Sequence, residues 1–396
     1  MIQFTGYLVL AFLFYTYVAF PVIIVCRGRL FPRPWKTRDD RRQVSIIIIC
    51  FNEARGIQRK IENIFETDYP SELLEVIVAS DGSDDGTNQI IEKLGHPRVK
   101  LLAMPRRGKI PALNDAVASA TGEILVFTDA NSHLTPKSIG NLIRHFADSE
   151  IGCVAGNQVY VKTEHEGRVA HGEKSYWNFD RKLKEHQAFA GNATSATGAF
   201  YAIRRSLFKD VPPGVTDDFT ISTHSIREGY RLVFDNEAIA SEASDGKIEK
   251  ELQRKIRIMT RGLRAVLISR DLLNPVKHGF YSIQLFSHKV MRRTAIIPLI
   301  ILLVISPWLF ATTLFFQAVA VSVWTAVGIL VLSSLTIHTS FGRWKPVKLV
   351  FFFGMVNFAA LIAIFNICVG KKIEKWNSTG NEIHPDDHSF QLARPK

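Results

Sequence analysis

The sequence predicts an α/β domain with a mostly parallel sheet, flanked by helices that cross a membrane. Three observations carry this reading. Short β-branched runs alternate with helically spaced apolar residues between Val44 and Thr128, the grammar of βαβ units. Two of those runs end abruptly in carboxylates, Asp81 and Asp129, and an open α/β sheet places its ligand groups beyond the carboxyl ends of its strands. Uncharged stretches long enough to span a bilayer lie on both sides.

Length and composition agree. A chain of 396 residues holds one large domain or two modest ones. Hydrophobic residues are 47% and charged residues 22%, a combination that implies segregation of the apolar residues. The net charge of +12 and a pI near 9.5 admit nucleic acid, an anionic membrane face or a phosphorylated substrate as partners. Cys26, Cys50, Cys153 and Cys368 are far apart and form no CxxC pair. They exclude a disulfide framework or clustered zinc site and suit a reducing compartment.

Taken in order, Phe4 to Val25 carries no charge, and Arg27, Arg29, Arg33, Lys36, Arg38, Arg41 and Arg42 follow it. By the positive-inside rule the next region lies in the cytoplasm. Val44 to Cys50 reads as a strand buried on both faces, and Ile57, Ile61, Ile64 and Phe65 as a helix. Strands over Glu75–Ser80, Val99–Ala103 and Glu123–Thr128 alternate with helices over Thr87–Leu94 and Pro111–Ala120. From Ile151 to about Ser244 the order is expected to loosen, with apolar runs at Gly152–Val161 and Gly198–Ile203. Residues 245–270 read as a very basic helix. Val276, Phe280, Ile283, Phe286 and Val290 recur beside basic residues, as in a helix lying in the membrane interface. Thr294–Phe316, Ala318–Ile337 and Leu349–Val369 read as three further spans. One span before the domain and three after would put the basic tail (Lys371, Lys372, Lys375) outside, against the charge rule. A re-entrant late segment and a local failure of that rule are both open.

Five motifs carry candidate chemistry. Asp81-Gly82-Ser83-Asp84-Asp85-Gly86-Thr87 combines glycines for a tight turn with a strand-tip carboxylate able to accept bonds from a base or ribose. Asp129-Ala130-Asn131 sets two oxygen ligands two residues apart, suited to Mg²⁺ or Mn²⁺ completed by water and phosphate. Arg106-Arg107-Gly108-Lys109 leads into a helix and offers charge and free amides to a diphosphate. Asp217-Asp218 is an acidic pair at a helix start, where one carboxylate can serve as a general base. Arg254, Lys255 and Arg257 line a helix near the membrane; Arg257, Arg261 and Arg264 share one face and suit a leaving diphosphate or anionic lipid. Taken singly, each motif also reads as a capped turn or a solvated charge run.

Their order is more specific. From about Val44 to Arg264, with the flanking helices, the chain resembles the membrane-embedded family 2 glycosyltransferases, the superfamily of cellulose, chitin, hyaluronan and poly-N-acetylglucosamine synthases. Asn52 and Glu53 in Phe51-Asn52-Glu53 look like the first nucleotide-contacting strand end, and Asp81 resembles the residue that reads uridine. Lys109 with Ala112-Leu113-Asn114 is similar to the Lys-x-x-Ala-Leu-Asn motif, and Asp129 and Asn131 occupy the Asp-x-Asp positions. Thr197, Gly198 and Ala199 match the acceptor-side segment, and Asp218, beside Asp217, matches the catalytic base. His288-Lys289-Val290-Met291-Arg292 resembles the segment leading into the C-terminal spans. Two departures stand out. Asn131 replaces a second Asp, and Arg254-Lys255-Ile256-Arg257-Ile258 stands where processive synthases carry Gln-x-x-Arg-Trp. Arg257 keeps the charge, while the stacking Trp is absent.

The resemblance implies a GT-A fold and an inverting hexosyltransferase at a bacterial inner membrane, with its catalytic domain in the cytoplasm. It implies a transmembrane helix over 1–26, a transferase domain over 43–270 and an interfacial helix over 275–293. Transmembrane helices over 294–370 and a polar tail over 371–396 follow. In this reading Asp218 is the base, and Asp129 with Asn131 holds Mg²⁺ or Mn²⁺. Lys109, Arg254 and Arg257 meet the diphosphate of a nucleotide sugar, expected to be a UDP-sugar. The acceptor is a growing polysaccharide or, alternatively, a lipid or lipid-linked saccharide receiving one sugar. The late spans favour the first and the missing Trp the second. Partners are the bilayer and accessory membrane or export proteins; nucleic acid is not expected, because the positive charge clusters beside the spans. A membrane receptor that binds sugar nucleotide without turnover is the non-enzyme alternative.

Overall fold

The computed structural model describes residues 1–161, 170–243, 248–337, 339 and 341–373. The polar tail expected from residue 371 lies, after Ile373, outside the described residues. The described chain forms two compact units, one of 28–161 and 184–243, the other of 1–27, 170–183 and 248–372.

The first unit is built on one eight-stranded sheet of order β3-β2-β1-β4-β7-β6-β8-β5. Its strands are β1 (Val44–Cys50), β2 (Leu74–Asp81), β3 (Val99–Met104), β4 (Ile124–Thr128), β5 (His133–Leu134), β6 (Ile151–Val161), β7 (Phe200–Arg204) and β8 (Arg231–Ala243). The four strands β3, β2, β1 and β4 run parallel, joined through helices Ile57–Phe65, Thr87–Leu94 and Lys109–Ala118. Every residue of β1 and β4 is buried, as a strand covered on both faces requires. Cys50 pairs with Ser80 and Ile47 with Phe127. The tips of β1, β2 and β4 therefore emerge at one edge, carrying Asn52, Asp81 and Asp129 together.

Beyond β4 the direction changes. Strand β7 runs antiparallel to β4, with Thr128 opposite Phe200, which turns Thr197-Gly198-Ala199 in beside Asp129. The expected loosening after Ile151 is not found: β6 and β8, of 11 and 13 residues, pair in parallel over most of their length. Polar residues dispersed through β8 (Asp235, Asn236, Glu237, Ser241) and register shifts opposite it hide the pattern from a periodicity reading.

The second unit is helical. Three of its helices, Ile2–Leu30, Leu314–Thr336 and Lys345–Cys368, are long and apolar enough to cross a membrane. Phe280–Thr294 and Ile296–Phe310 form a further pair bent by 47°, a geometry that both a broken span and a re-entrant loop would give. The expected single span Thr294–Phe316 is thus corrected. The helix ends at Phe310, and Thr313 caps the next one by accepting the Phe316 N–H at 3.3 Å. The expected continuous interfacial helix over 275–293 is also broken. Gly279, at φ +57°, separates Pro275–His278 from Phe280–Leu285, and a π-helical turn, Phe286–Met291, follows. Tyr281, Leu285, Ser287 and His288 are buried there, so this segment is more than a surface layer. The basic helix Ile248–Ile268, expected to close the α/β domain, belongs to this unit and packs along Lys345–Cys368, where Asn366 Nδ2 donates to Thr260 Oγ1 at 3.3 Å.

Candidate active site

The tips of β1 and β2 are tied together by paired hydrogen bonds. Asn52 Nδ2 donates to Asp84 Oδ1 at 2.8 Å and Asn52 Oδ1 accepts from the Asp84 N–H at 3.0 Å. The Asn52 backbone sits at φ +56°, a left-handed conformation that Asn tolerates better than most side chains. Next to it the Glu53 N–H donates to Thr87 Oγ1 at 2.9 Å, and the Ala54 N–H to Asp85 Oδ2 at 3.0 Å. Desolvation, then the charges of Asp129 and Asp85, push the Glu53 carboxyl up to about 7.

Asp81, expected to meet the base, spends both carboxylate oxygens on the loop that leads to Lys109. Its Oδ2 accepts from Arg106 Nη1 at 2.7 Å, Oδ1 from the Arg107 N–H at 2.7 Å, and both from the Gly108 N–H at 3.0 Å. The Arg106 guanidinium lies 3.4 Å above the centre of the Phe51 ring. Gly82, at φ +73°, is pressed under this loop: a Cβ there would sit 2.7 Å from the Arg106 nitrogen. The sequence therefore needs glycine at that turn for space as well as for conformation.

Lys109, at the first turn of its helix, faces two motifs far apart in the chain. Its Nζ lies 3.3 Å from Asp129 Oδ1 and 3.0 Å from Asp217 Oδ2. Five residues on in that helix, Asn114 pins the approach to the acidic pair, accepting the Val211 N–H at 3.1 Å and donating to the Val211 carbonyl at 3.2 Å. Asp217 and Asp218 then open the helix Asp217–Arg227, and Asp218 Oδ1 accepts its neighbour's N–H (Phe219) at 2.7 Å. Gly198 lies opposite, where a Cβ would be 3.9 Å from Asp129 Oδ2, while Thr197 Oγ1 reaches the Gly156 carbonyl at 3.5 Å. The structure thus gathers Asn52, Glu53, Lys109, Asp129, Asn131, Asp217, Asp218 and the Thr197–Ala199 segment at one edge of the sheet. Arg254 and Arg257 stand on the helix Ile248–Ile268 of the other unit, where Arg254 pairs with Glu251 at 2.8 Å.

The residues at this edge suit a divalent cation. Asp129 offers a carboxylate whose side chain is 36% exposed. Asn131 Nδ2 donates to Glu242 Oε1 at 2.7 Å, which leaves its carbonyl oxygen as the free donor atom, and Gln158 Nε2 donates to the other Glu242 oxygen. One carboxylate and one amide oxygen are hard ligands for Mg²⁺ or Mn²⁺, which commonly takes the rest of its shell from phosphate and water. Among the described residues no group of three His, Cys, Asp or Glu could hold a metal.

Sequence reasoning missed three side chains here. Glu242 orients Asn131 from β8, and no local pattern announces it. Tyr201 stacks on Phe127 with ring centres 4.8 Å apart, and its buried hydroxyl has no partner among the described residues. Burial, with Asp217 and Asp218 nearby, pushes that phenol well above its usual range. Lys60 is fully buried beneath the Asp129 turn. Its signal was present: Lys60 falls on the Ile57, Ile61, Ile64 stripe, and a charge on a core-facing stripe is unusual.

Comparison with known proteins bears on these motifs. The profile of glycosyl transferase family 2 matches residues 45–212. Residues 45–212 are a family 2 glycosyltransferase domain. The poly-beta-1,6-N-acetyl-D-glucosamine synthase of Staphylococcus aureus strain COL is 25% identical over 205 residues, 50% of this chain and 49% of that protein. The synthase of the same name from Staphylococcus epidermidis strain ATCC 35984 is 26% identical over 220 residues, 53% and 52% of the two chains. This chain therefore spans about half the length of the curated relatives it matches. The solved mannosyltransferase PcManGT of Pyrobaculum calidifontis, in complex with GDP-Man and Mn²⁺, aligns with a TM-score of 0.66 at 23% identity. That alignment covers 94% of this chain and all of the other. The family 2 domain has the GT-A fold expected of it.

Proposed function

We propose that this chain is an inverting glycosyltransferase of a bacterial inner membrane. It moves a sugar from a UDP-sugar to a growing polysaccharide on the cytoplasmic face. The observation that carries the reading is the position of Lys109 between Asp129 and Asp217, because it joins the diphosphate end of the site to the acid pair. The family 2 domain and the relatives named as polysaccharide synthases support the same class of reaction.

In this reading Asp218 takes the proton of the acceptor hydroxyl. The freed oxygen forms its bond to the anomeric carbon as the bond from that carbon to the diphosphate oxygen breaks, and the nucleotide diphosphate departs with the electron pair. Lys109 meets the charge that grows on the leaving group, where a preorganised cation acts most strongly. Arg257 is proposed, from its motif position alone, as a second cation for that charge. Asp129 and Asn131 would hold Mg²⁺ or Mn²⁺, which when bound neutralises diphosphate oxygens.

Product analysis of the purified protein in lipid, with Mn²⁺ and a panel of radiolabelled UDP- and GDP-sugars, tests the proposal. A long polymer from one donor supports it. A single sugar on a lipid-extractable product favours the second reading, which rests on Ile258 standing where processive synthases carry Trp. Nucleotide binding without turnover by any donor leaves a receptor. Asp218→Asn is expected to lower transfer by about a thousandfold while nucleotide binding survives. Wild-type turnover in that variant removes Asp218 as the base.

A further inference from the structure

Lys60 is a buried charge beneath the site, with no exposed surface, and its surroundings are specific. Its Nζ donates to Thr128 Oγ1 at 2.8 Å, to the Ser132 carbonyl at 2.6 Å and to Ser132 Oγ at 3.0 Å. These three acceptors match the three protons of an ammonium group. The two hydroxyl acceptors each make a second contact. Thr128 Oγ1 donates to the Ala199 carbonyl at 3.1 Å, and Ser132 Oγ donates to the Asp129 carbonyl at 2.8 Å. One cation thus ties the two ends of the turn that carries Asp129 and Asn131, and through Thr128 it reaches the Thr197–Ala199 segment.

We infer that Lys60 is a positioning residue that holds the Asp129–Asn131 turn in its cation-binding shape and fixes its spacing from the acceptor-side segment. The inference rests on the function proposed above and deepens it. A buried lysine that served the core alone would have no need of partners confined to residues 128–132. Methionine or leucine would fill the space beside Ile57, Ile61 and Ile64 without the cost of burying a charge. That cost is visible, since burial pulls the Lys60 ammonium down to about 7 against the raising influence of Asp129 and Glu242.

The test measures cation binding without requiring turnover. Mn²⁺ is titrated into the full-length protein and followed by electron paramagnetic resonance, with saturating UDP or GDP present, and a thermal transition is recorded on each sample. Lys60→Met keeps the volume and removes the donors. Thr128→Val removes one acceptor with little change of shape and serves if Lys60→Met does not fold. The expected result is a Mn²⁺ midpoint raised by about ten- to hundredfold in a protein that still unfolds cooperatively. A core lysine without a positioning role would lower the thermal transition and leave that midpoint unmoved. An unchanged midpoint in folded Lys60→Met, or in Thr128→Val where the first does not fold, overturns the inference. Wild-type protein that binds no Mn²⁺ with either nucleotide overturns the cation site and this inference with it. Wild-type protein that binds Mn²⁺ normally but transfers no sugar overturns the proposed activity, and a midpoint shift in the variants would still establish the positioning role.

Discussion

Asp81 and Asp129 are near-twins in sequence. Each ends a parallel strand, each follows apolar residues closed by a hydroxyl (Ser80, Thr128), and each precedes a small residue (Gly82, Ala130). In the structure their surroundings are opposite. The Asp81 side chain is 1% exposed and gathers Arg106 and the amides of Arg107 and Gly108. The Asp129 side chain is 36% exposed and faces the Lys109 ammonium. The difference comes from the neighbouring chain: a basic loop folds onto one carboxylate and stops short of the other. A strand-tip carboxylate closed over by its own loop is a structural tie, and one left open is available to a ligand.

Substitutions can break this contrast. The largest expected effect is from Asp129→Ala, which should lower sugar transfer by about a thousandfold and leave the thermal transition nearly unchanged; steady-state kinetics and a thermal melt check both. Asp81→Ala should do the reverse in kind. It strands the amides of Arg107 and Gly108 and the Arg106 guanidinium, and should cost about 3 kcal/mol of stability, read by denaturant unfolding. Activity should fall with it because Lys109 loses its anchored loop. An Asp81→Ala protein of wild-type stability that has lost only nucleotide affinity would instead restore Asp81 as a base-reading residue.

The smallest effect sharpens the comparison through pH. Glu53 lies between the two tips and, when folded, holds its proton up to about pH 7, against an ordinary value near 4.3 in the unfolded chain. Between those values the native state binds more protons than the unfolded state, so stability falls as pH rises through the window, and the penalty is complete above it. Glu53→Gln removes the ionisation. The variant should therefore melt higher than wild type at pH 8 in metal-free buffer, with the gain vanishing by pH 4. A gain that persists at pH 4 would point to a cause other than charge.

How much of this could be read in the sequence depends on how local the cause is. Strands β1 to β4, the helices between them and the strand-tip carboxylates rest on periodicity and turn chemistry over a few residues, and they were legible. The motif order from Asn52 to Asp218 was legible as a family likeness. The breaks at Gly279 and near Thr313 were not, because both lie in apolar stretches where hydropathy alone continues through them. Strand β8 was hidden by its polar residues, which face partners supplied from elsewhere, such as Arg144 on Asp235 and Gln158 on Glu242.

The sequence by itself determined which residues could do chemistry and which elements would carry them, since backbone preference and side-chain type act at short range. Only the tertiary structure decided which carboxylate is enclosed and which is left open. That choice turns on β7 running antiparallel beside β4, on the loop of residues 106–108 folding over Asp81, and on Lys60 being drawn under Asp129. All three are contacts between residues distant in the chain. A buried charge or a shared hydrogen bond takes its energy from such neighbours, and no local pattern specifies them.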